Sequence, residues 1–302
     1  MKKRQPIVSS NGLTLKPNKP MIQTHQKWYW QALVITIVVL LISFSMIPLF
    51  LTVVNSMKTA KEVQMNAFAM PSGEFLKAIA TNYKEAWGYI GDKFFKTVGI
   101  AIIGAIGETM ISAALAYILC FKDFYFKNVV FMFFISILMV PAIIGYPVLT
   151  PFVRDVLHLG GTYWGFLIPM IGGAQVGGMF LFRTFFGQQP KSLYESARIE
   201  GCSDIRIFFE ITIPLALPII LYYFVGAFSA VYNNFLWASL ILSDSNMTMM
   251  YTLYSVTNAI SGQDKEGVTY AMYMISAIPL VITTIISMKY FKSGEFAAGL
   301  KL

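Results

Sequence analysis

The chain has 302 residues, of which 56% are hydrophobic and 13% charged, with a net charge of +8 and a mean hydropathy of +0.62. Soluble domains carry about 25% charged residues; half that share cannot cover a water-facing surface, so a soluble enzyme and a disordered chain are both excluded. Two cysteines, Cys120 and Cys202, and two histidines, His25 and His158, supply neither a disulfide framework nor a His-rich metal site.

Residues 1–27 read as a basic tail with Pro6, Pro17 and Pro20 opposing regular structure, suited to lie near anionic lipid. Six apolar windows follow, at 28–57, 97–121, 128–153, 156–182, 211–243 and 267–288, and together they hold one charge, Glu108. Each is longer than the ~20 residues that cross the hydrocarbon core as a helix. The first is too long for a cleaved signal segment and is read as a retained span. An outer-membrane barrel would show short alternating strands instead. The expected fold is therefore an all-α integral membrane protein with six transmembrane helices. A tail at 1–27 precedes one transmembrane domain at 28–302, with a polar loop at 183–214 and a short tail at 289–302.

Orientation follows from the basic residues in alternate connections. Both tails, 122–127 and 183–210 hold 15 Lys and Arg; 58–96, 154–155 and 244–266 hold 8. Both termini are therefore expected on the cytoplasmic side of a bacterial or archaeal cytoplasmic membrane, with the two cysteines as free thiols facing a reducing compartment.

Within the spans, Glu108 costs ~2.5–3.5 kcal/mol on insertion scales and must face a bundle interior or water. A hydrogen bond between helices and a role in a cavity or gate both fit. Gly173 and Gly177 form a G-x-x-x-G pair that permits close helix packing. Pro141, Pro147 and Pro279 free backbone carbonyls, as bends in the third and sixth spans would require. The fifth window is rich in polar and aromatic residues, among them Tyr232, Asn233, Asn234 and Trp237. Stacking rings and amides suit a sugar, and they suit interhelical hydrogen bonding too. The stretch at 258–266, with Asn258, Ser261, Gly262, Gln263 and Asp264, reads as a polar outward loop that Gly262 makes flexible.

Catalytic equipment is missing. The chain has no G-x-x-x-x-G-K-[ST], H-E-x-x-H, G-x-S-x-G or C-x-x-C. If transport here is active, its energy comes from an ion gradient or a separate ATPase, and a single intramembrane acid favours the ATPase. The loop between the fourth and fifth spans is the informative one. Ser192 and Glu195 fit a capping box that opens a short helix. Gly201 fits a left-handed residue that closes it, and Ser203 can cap the next helix, which runs toward Pro214. The first helix would offer Leu193, Ala197 and Ile199 as a small apolar face.

Glu195, Ala197 and Gly201, followed by Phe208, Ile213, Pro214 and Pro218, resemble the EAA loop of ABC-importer permeases. Arg183, Pro190, the run Tyr232-Asn233-Asn234-Phe235-Leu236-Trp237, Thr162 to Gly165, Asn82-Tyr83 and the end of the chain resemble the carbohydrate-uptake branch, nearest the second, six-span permease of maltose-type importers. Ser196, Glu200, Cys202 and Asn234 depart from the usual Ala, Asp, Ala and acidic residue. The resemblance implies a non-enzymatic permease subunit of an ATP-driven sugar importer. Its implied partners are a second permease, a nucleotide-binding ATPase dimer carrying the ATP and Mg, an extracytoplasmic solute-binding protein, the sugar and membrane lipid, with no nucleic acid. It further implies that Glu195, Ser196, Ala197, Gly201, Cys202, Phe208 and Pro214 couple to the ATPase, and that the loop with Gly262 meets the binding protein. An ion-coupled carrier using Glu108, or a non-transporting scaffold, is the alternative.

Overall fold

The computed structural model describes residues 28–292. The tail at 1–27 and most of that at 289–302 lie outside the described residues. The chain divides into two units, one ending at Phe50 and one beginning at Leu51. In the first, residues 28–50 are a continuous helical run with Pro48 near its end, part of α1 (Trp28–Ser56).

The second unit is organised on one rod. Helices α2 (Ala60–Met65) and α3 (Phe75–Phe121) follow α1. At 47 residues, α3 is about 70 Å long, more than twice the ~30 Å hydrocarbon core. The apolar window begins only at Thr97, so the helix starts 22 residues before it. The reason is a buried stripe that continues through the polar stretch: Ala78, Asn82, Ala86 and Ile90, then Thr97, Ala101, Ala105, Glu108, Ser112 and Ala116. Steps of three, four and once seven residues put these on one face, and the alanines and Ser112 among them let α6 (Tyr163–Phe186), α10 (Leu217–Tyr232) and α13 (Glu266–Lys292) approach closely.

Among the described residues, four helices are long and apolar enough to cross a membrane, or six if each of two bent helix pairs counts as one span. The first pair joins α4 (Lys127–Ile137) to the segment Ala142–Val156, which contains α5 (Tyr146–Pro151), at 91°. Pro141 stands at this bend, whereas Pro147 lies in the first turn of α5 and Pro279 inside an uninterrupted α13. The second pair, Asp204–Leu215 and α10, meets at 85° at Ala216, between Pro214 and Pro218. The window at 211–243 is thus a sequence of short pieces, not one helix, and α11 (Leu236–Ile241) follows a second break. No strand occurs among the described residues; one bridge joins Gly161 to Leu242, where Gly161 N–H donates to Ile241 O at 2.7 Å.

Close packing falls on other glycines than the G-x-x-x-G pair. A Cβ on Gly173 or Gly177 would meet nothing within 4 Å. One on Gly178 would lie 2.5 Å from Tyr223 Cζ and 2.6 Å from Ser112 Oγ, where α3, α6 and α10 converge. Period alone identified the right turn of α6 and the wrong side of it.

The purified chain should therefore lose stability in Gly178→Ala, by about 1–3 kcal/mol as overpacking costs. Gly177→Ala should match or exceed wild type, since Ala is the better helix former by about 1 kcal/mol. Thermal melting in detergent reads both; a greater loss at Gly177 would contradict this packing.

Candidate functional site

Two regions gather the residues singled out by sequence: an elbow after α6 and the segment from α10 to the start of α13. The elbow consists of α7 (Lys191–Ile199) and α8 (Asp204–Ile207), continued by a π-helical turn over Phe208–Thr212 and by α9 (Ile213–Leu215). Its start differs from the expected capping box. Pro190 occupies the N-cap position with φ −62° and ψ 118°, and no side chain caps the helix. Proline presets the backbone for helix entry, so α7 begins at Lys191, and Ser192, already inside its first turn, is too late to cap it.

The end of α7 is as expected. Gly201 has φ +81°, Cys202 N–H donates to Ala197 O and Gly201 N–H to Arg198 O, both at 3.0 Å. This is the Schellman pattern, which closes the last carbonyls of a helix around a left-handed residue. Ser203 then caps α8, its Oγ accepting from Arg206 N–H at 3.3 Å.

The two faces of the elbow have different duties. Tyr194 stacks on Phe121 with centroids 4.0 Å apart, and its hydroxyl donates to Gln189 Oε1. Phe208 meets Tyr117 edge-on at 5.4 Å. Ala197 is buried with Tyr194 and Phe208, which corrects the expected face of Leu193, Ala197 and Ile199: Ala197 points into the chain. The outward face carries Glu195, Ser196, Gly201 and Pro214, with Ile199 87% and Ile205 73% exposed and Leu193 and Phe209 beside them. Cys202 is half-buried. Asp204 bolts the elbow to the end of α3: Lys122 Nζ lies 2.5 Å from Oδ2, Tyr117 O–H donates to Oδ1 at 3.4 Å, and Arg198 lies at 3.9 Å. Arg198 also donates to Phe121 O at 3.3 Å. The hydrogen bond from Lys122 holds the Asp204 carboxyl below its ordinary range.

In the fifth window, Tyr232, Asn234 and Trp237 brace the break between α10 and α11. Tyr232 is fully buried and donates to Ser276 O at 2.8 Å. Asn234 Oδ1 accepts from Trp237 N–H at 3.0 Å, and Trp237 Nε1 donates to Phe166 O at 3.1 Å. Asn233 is exposed and donates to Ser229 Oγ at 3.1 Å. Glu108 is 4% exposed and accepts from Tyr223 O–H at 2.5 Å, so it joins α3 to α10 inside the chain.

Asn258 lies on α12 (Met249–Ile260), a helix where sequence reading saw only loop. Its buried residues, Met249, Thr252, Leu253 and Ile260, recur at helical spacing, but they are too few and too interspersed with polar residues to form a long apolar window. Ser261, Gly262, Gln263 and Asp264 are exposed, and Gly262 and Asp264 have φ of +76° and +56°. This turn is held, not loose: Gln64 donates to Asp264 Oδ1 and Glu266 Oε1, each at 2.8 Å. Beside it, Lys265 Nζ lies 2.5 Å from Glu85 Oε1 and donates to Tyr89 O–H at 2.8 Å; the Glu85 hydrogen bond raises its pKa.

Sequence reading missed a polar junction at the same end. Lys58 is buried, and its Nζ donates to Asn55 Oδ1 at 3.0 Å and to the carbonyls of Asn66 and Ala67 at 3.2 Å. Asn82 donates to Ser56 O at 3.0 Å and Lys58 O at 2.8 Å. A visible signal was the T-x-x-E of Thr59 and Glu62, a complete capping box. Hydrogen bonds from Ser72 and Thr59 hold the Glu62 carboxyl down to about 2. Among the described residues, no group of three His, Cys, Asp or Glu could hold a metal.

The family model for "Binding-protein-dependent transport system inner membrane component" matches residues 108–294. The sn-glycerol-3-phosphate transport system permease protein UgpE of Pectobacterium atrosepticum is 28% identical over 197 residues, 65% of this chain and 69% of that protein. The arabinooligosaccharides transport system permease protein AraQ of Halalkalibacterium halodurans is 27% identical over 261 residues, covering 84% and 90%. The inner membrane ABC transporter permease protein YcjP of Escherichia coli is 24% identical over 269 residues, covering 87% and 93%. In fold, the chain is similar to one chain of a bacterial ABC transporter involved in the import of the acidic polysaccharide alginate, with a TM-score of 0.74 at 18% identity over 90% of this chain and all of that one.

The Asp204 pair predicts a local, pH-dependent hold on the elbow. Because the folded carboxyl titrates below its unfolded value near ~3.9, its contribution is complete above that pH and is lost as pH falls below it. Both partners are nearly half exposed, so screening limits the effect to about 1 kcal/mol or less. In a Cys120→Ala background, Asp204→Asn should raise maleimide labelling of Cys202 at pH 7 by up to about fivefold. An unchanged rate would show that the pair does not hold the elbow.

Proposed function

The chain belongs to the family of binding-protein-dependent transport system inner membrane components, and from that premise we propose that it is one permease subunit of an ATP-driven importer for a sugar or oligosaccharide. It forms half of a translocation path with a second permease and takes its energy from a separate ATPase dimer, which carries ATP and Mg. An extracytoplasmic solute-binding protein delivers the substrate. Relatives named for arabinooligosaccharide and glycerol phosphate transport support a polyhydroxylated cargo. In this reading the first bent pair is one span and α10 with α11 another, giving six in a domain at 28–302, and the 15-to-8 division of basic residues supports a cytoplasmic position for both tails and the elbow.

The observation that carries the proposal is the two-faced elbow. Its inner face is bolted to the end of α3, and its outer face presents Glu195, Ser196 and the bare backbone of Gly201 beside exposed Ile199 and Ile205. A short helix so fixed moves as a body when a cleft of the ATPase closes on it. Ala197, Cys202, Phe208 and Pro214 maintain its shape and its exit into the next span. Tyr232, Asn234, Trp237 and Glu108 set the interior of the bundle, and Asn233 is the member of that group that reaches a surface. The turn at Asn258 to Asp264 is the contact for the binding protein.

Gly201 separates conformation from docking. Its absent Cβ meets open space within the chain, while its φ disfavours any side chain by about 1–2 kcal/mol. Asn tolerates that conformation. Gly201→Asn and Gly201→Asp should therefore both insert and fold, and both should lose uptake and co-purifying ATPase, because the docked cleft leaves no room. Glu195→Ala should lower uptake at normal membrane abundance. Full uptake in all three would remove the elbow as the coupling element.

A second measurement tests orientation. A cysteine introduced at Gly262 should be labelled from outside intact cells, and one at Ser293 should not. The reverse pattern would overturn the topology.

A further inference from the structure

Three candidate spans change from apolar to charged at one place. Helix α3 ends at Phe121 and is followed by Lys122, α4 begins at Lys127, and α6 ends at Phe186 with Arg183 in its last turn. These ends lie together. Arg183 Cζ is 3.8 Å from the centre of the Phe131 ring of α4, and the Cβ that Gly187 lacks would lie 4.0 Å from Cys120 Sγ of α3. Arg183, Lys127 and Lys191, the first residue of α7, all act electrostatically on the Cys120 sulfur. Only one of these cations has an acid beside it. Lys127 lies 3.2 Å from Asp123, whose side chain is fully exposed, whereas Arg183 and Lys191 have no ion pair and no side-chain hydrogen bond among the described residues. Arg183 is half-buried, and a guanidinium with five N–H donors in that setting calls for acceptor oxygens. Beside the cations, α4 turns an apolar face outward: Val129, Met132 and Phe133 are exposed at helical spacing, and Tyr125 just before the helix is 92% exposed. Aromatic rings at the end of a span are suited to the headgroup level of a bilayer.

We propose that Arg183, Lys191 and Lys127 hold the phosphate of an anionic phospholipid whose acyl chains lie along the exposed face of α4. The planar guanidinium matches phosphate oxygens with two parallel N–H bonds, and the lysines add charge at the same point. Charge complementarity selects the occupant. A zwitterionic lipid offers the same phosphate, but its own cation meets three like charges, whereas each Lys or Arg near the surface favours an anionic headgroup by roughly fivefold. Asp123 is the internal competitor, and an exposed pair such as it makes with Lys127 is weak enough for a phosphate to displace. Because Lys191 opens α7, the bound phosphate also ties the elbow to the leaflet beside it, as the Asp204 pair ties it to α3. The site depends on neither the cargo nor the direction of transport.

The test uses the full chain in phosphatidylcholine nanodiscs doped with a photoactivatable lipid that carries a diazirine near the top of one acyl chain. The probe is phosphatidylglycerol in one arm and phosphatidylcholine in the other, and mass spectrometry counts adducts on residues 124–133. Phosphatidylglycerol is expected to label this segment about tenfold more than phosphatidylcholine. Arg183→Gln and Lys191→Gln should each lower its yield by about fivefold. Lys191 is exposed, so its variant keeps the test decisive if Arg183→Gln fails to fold. Asp123→Asn removes the competing carboxylate and should raise the yield by up to about fivefold, a gain that damage to the protein does not produce. Equal labelling by the two probes in wild type, or a yield that neither cation substitution lowers, would overturn the site. Displacement of the probe by soluble glycerol 3-phosphate would show a site for free anions and overturn the lipid. A preference that disappears when the chain is reconstituted with its co-purifying ATPase would assign the cations to that partner, with the same result.

Discussion

A buried polar group is costly unless it is hydrogen-bonded, and most of the polar side chains that α3 carries inward are answered by another part of the chain, Thr109 being an exception. The helix is continuous from Phe75 to Phe121, and along it the answers come in order. Asn82 holds the carbonyls of Ser56 and Lys58, Thr97 accepts from Met249 N–H at 2.8 Å, Glu108 takes Tyr223, and Ser112 donates to Gln175 O at 3.0 Å. Lys122, just beyond its end, takes Asp204. The small residues between these contacts bring the partner helices near enough to make them. One rod thus sets the positions of α6, α10, α12, α13 and the elbow. A force applied at Asp204 and one applied near Asn82 act on the same rigid element, which is the physical condition for coupling two ends of a protein.

The helix breaks follow from the same constraint. A kink exposes backbone groups that lipid cannot satisfy, so breaks occur where side chains supply the bonds. At the end of α10, Asn234 receives Trp237 N–H, and the indole in turn reaches Phe166 O. At Ala216 the amide is shared between the carbonyls of Thr212 and Ile213 at 3.1 and 3.2 Å. Asn and Trp in this segment therefore have full-time structural work, whatever else passes near them. Asn233 differs, since its one bond is to Ser229 on its own helix.

Composition made the membrane class legible, because charge depletion over long windows has few other causes. It also found the helical character of α1, α6 and α13. It did not find the first half of α3, where Lys77, Lys84, Asp92 and Lys93 masked a buried face spaced at four residues, nor α12, where Thr and Tyr lower the apolar count. Both carry a helical period that a search for uninterrupted apolar runs does not register. The bend at Ala216 was unreadable for a different reason. Pro214 and Pro218 announce a disturbance, but its angle depends on which neighbour receives the freed groups. At the elbow, Gly201 and Ser203 were legible because caps are local, whereas the inward turn of Ala197 depends on the Phe121 and Tyr117 rings brought from 70 or more residues away in sequence.

That division changes how the elbow motif should be understood. Ala197 is buried under its own chain, Phe208 packs on Tyr117, and the left-handed turn at Gly201 completes the C-terminal cap of α7. These positions answer to the permease's own fold, and a substitution at any of them disturbs the elbow before a partner is met. Glu195 and Ser196 make no such commitment among the described residues, and the missing Cβ of Gly201 borders empty space. A side chain that is free of internal duty and a gap that the fold does not need are the features an external surface must explain. The motif is therefore two overlapping requirements in one short helix: a buried set that makes it rigid, and an outward set that makes its rigidity useful to something else.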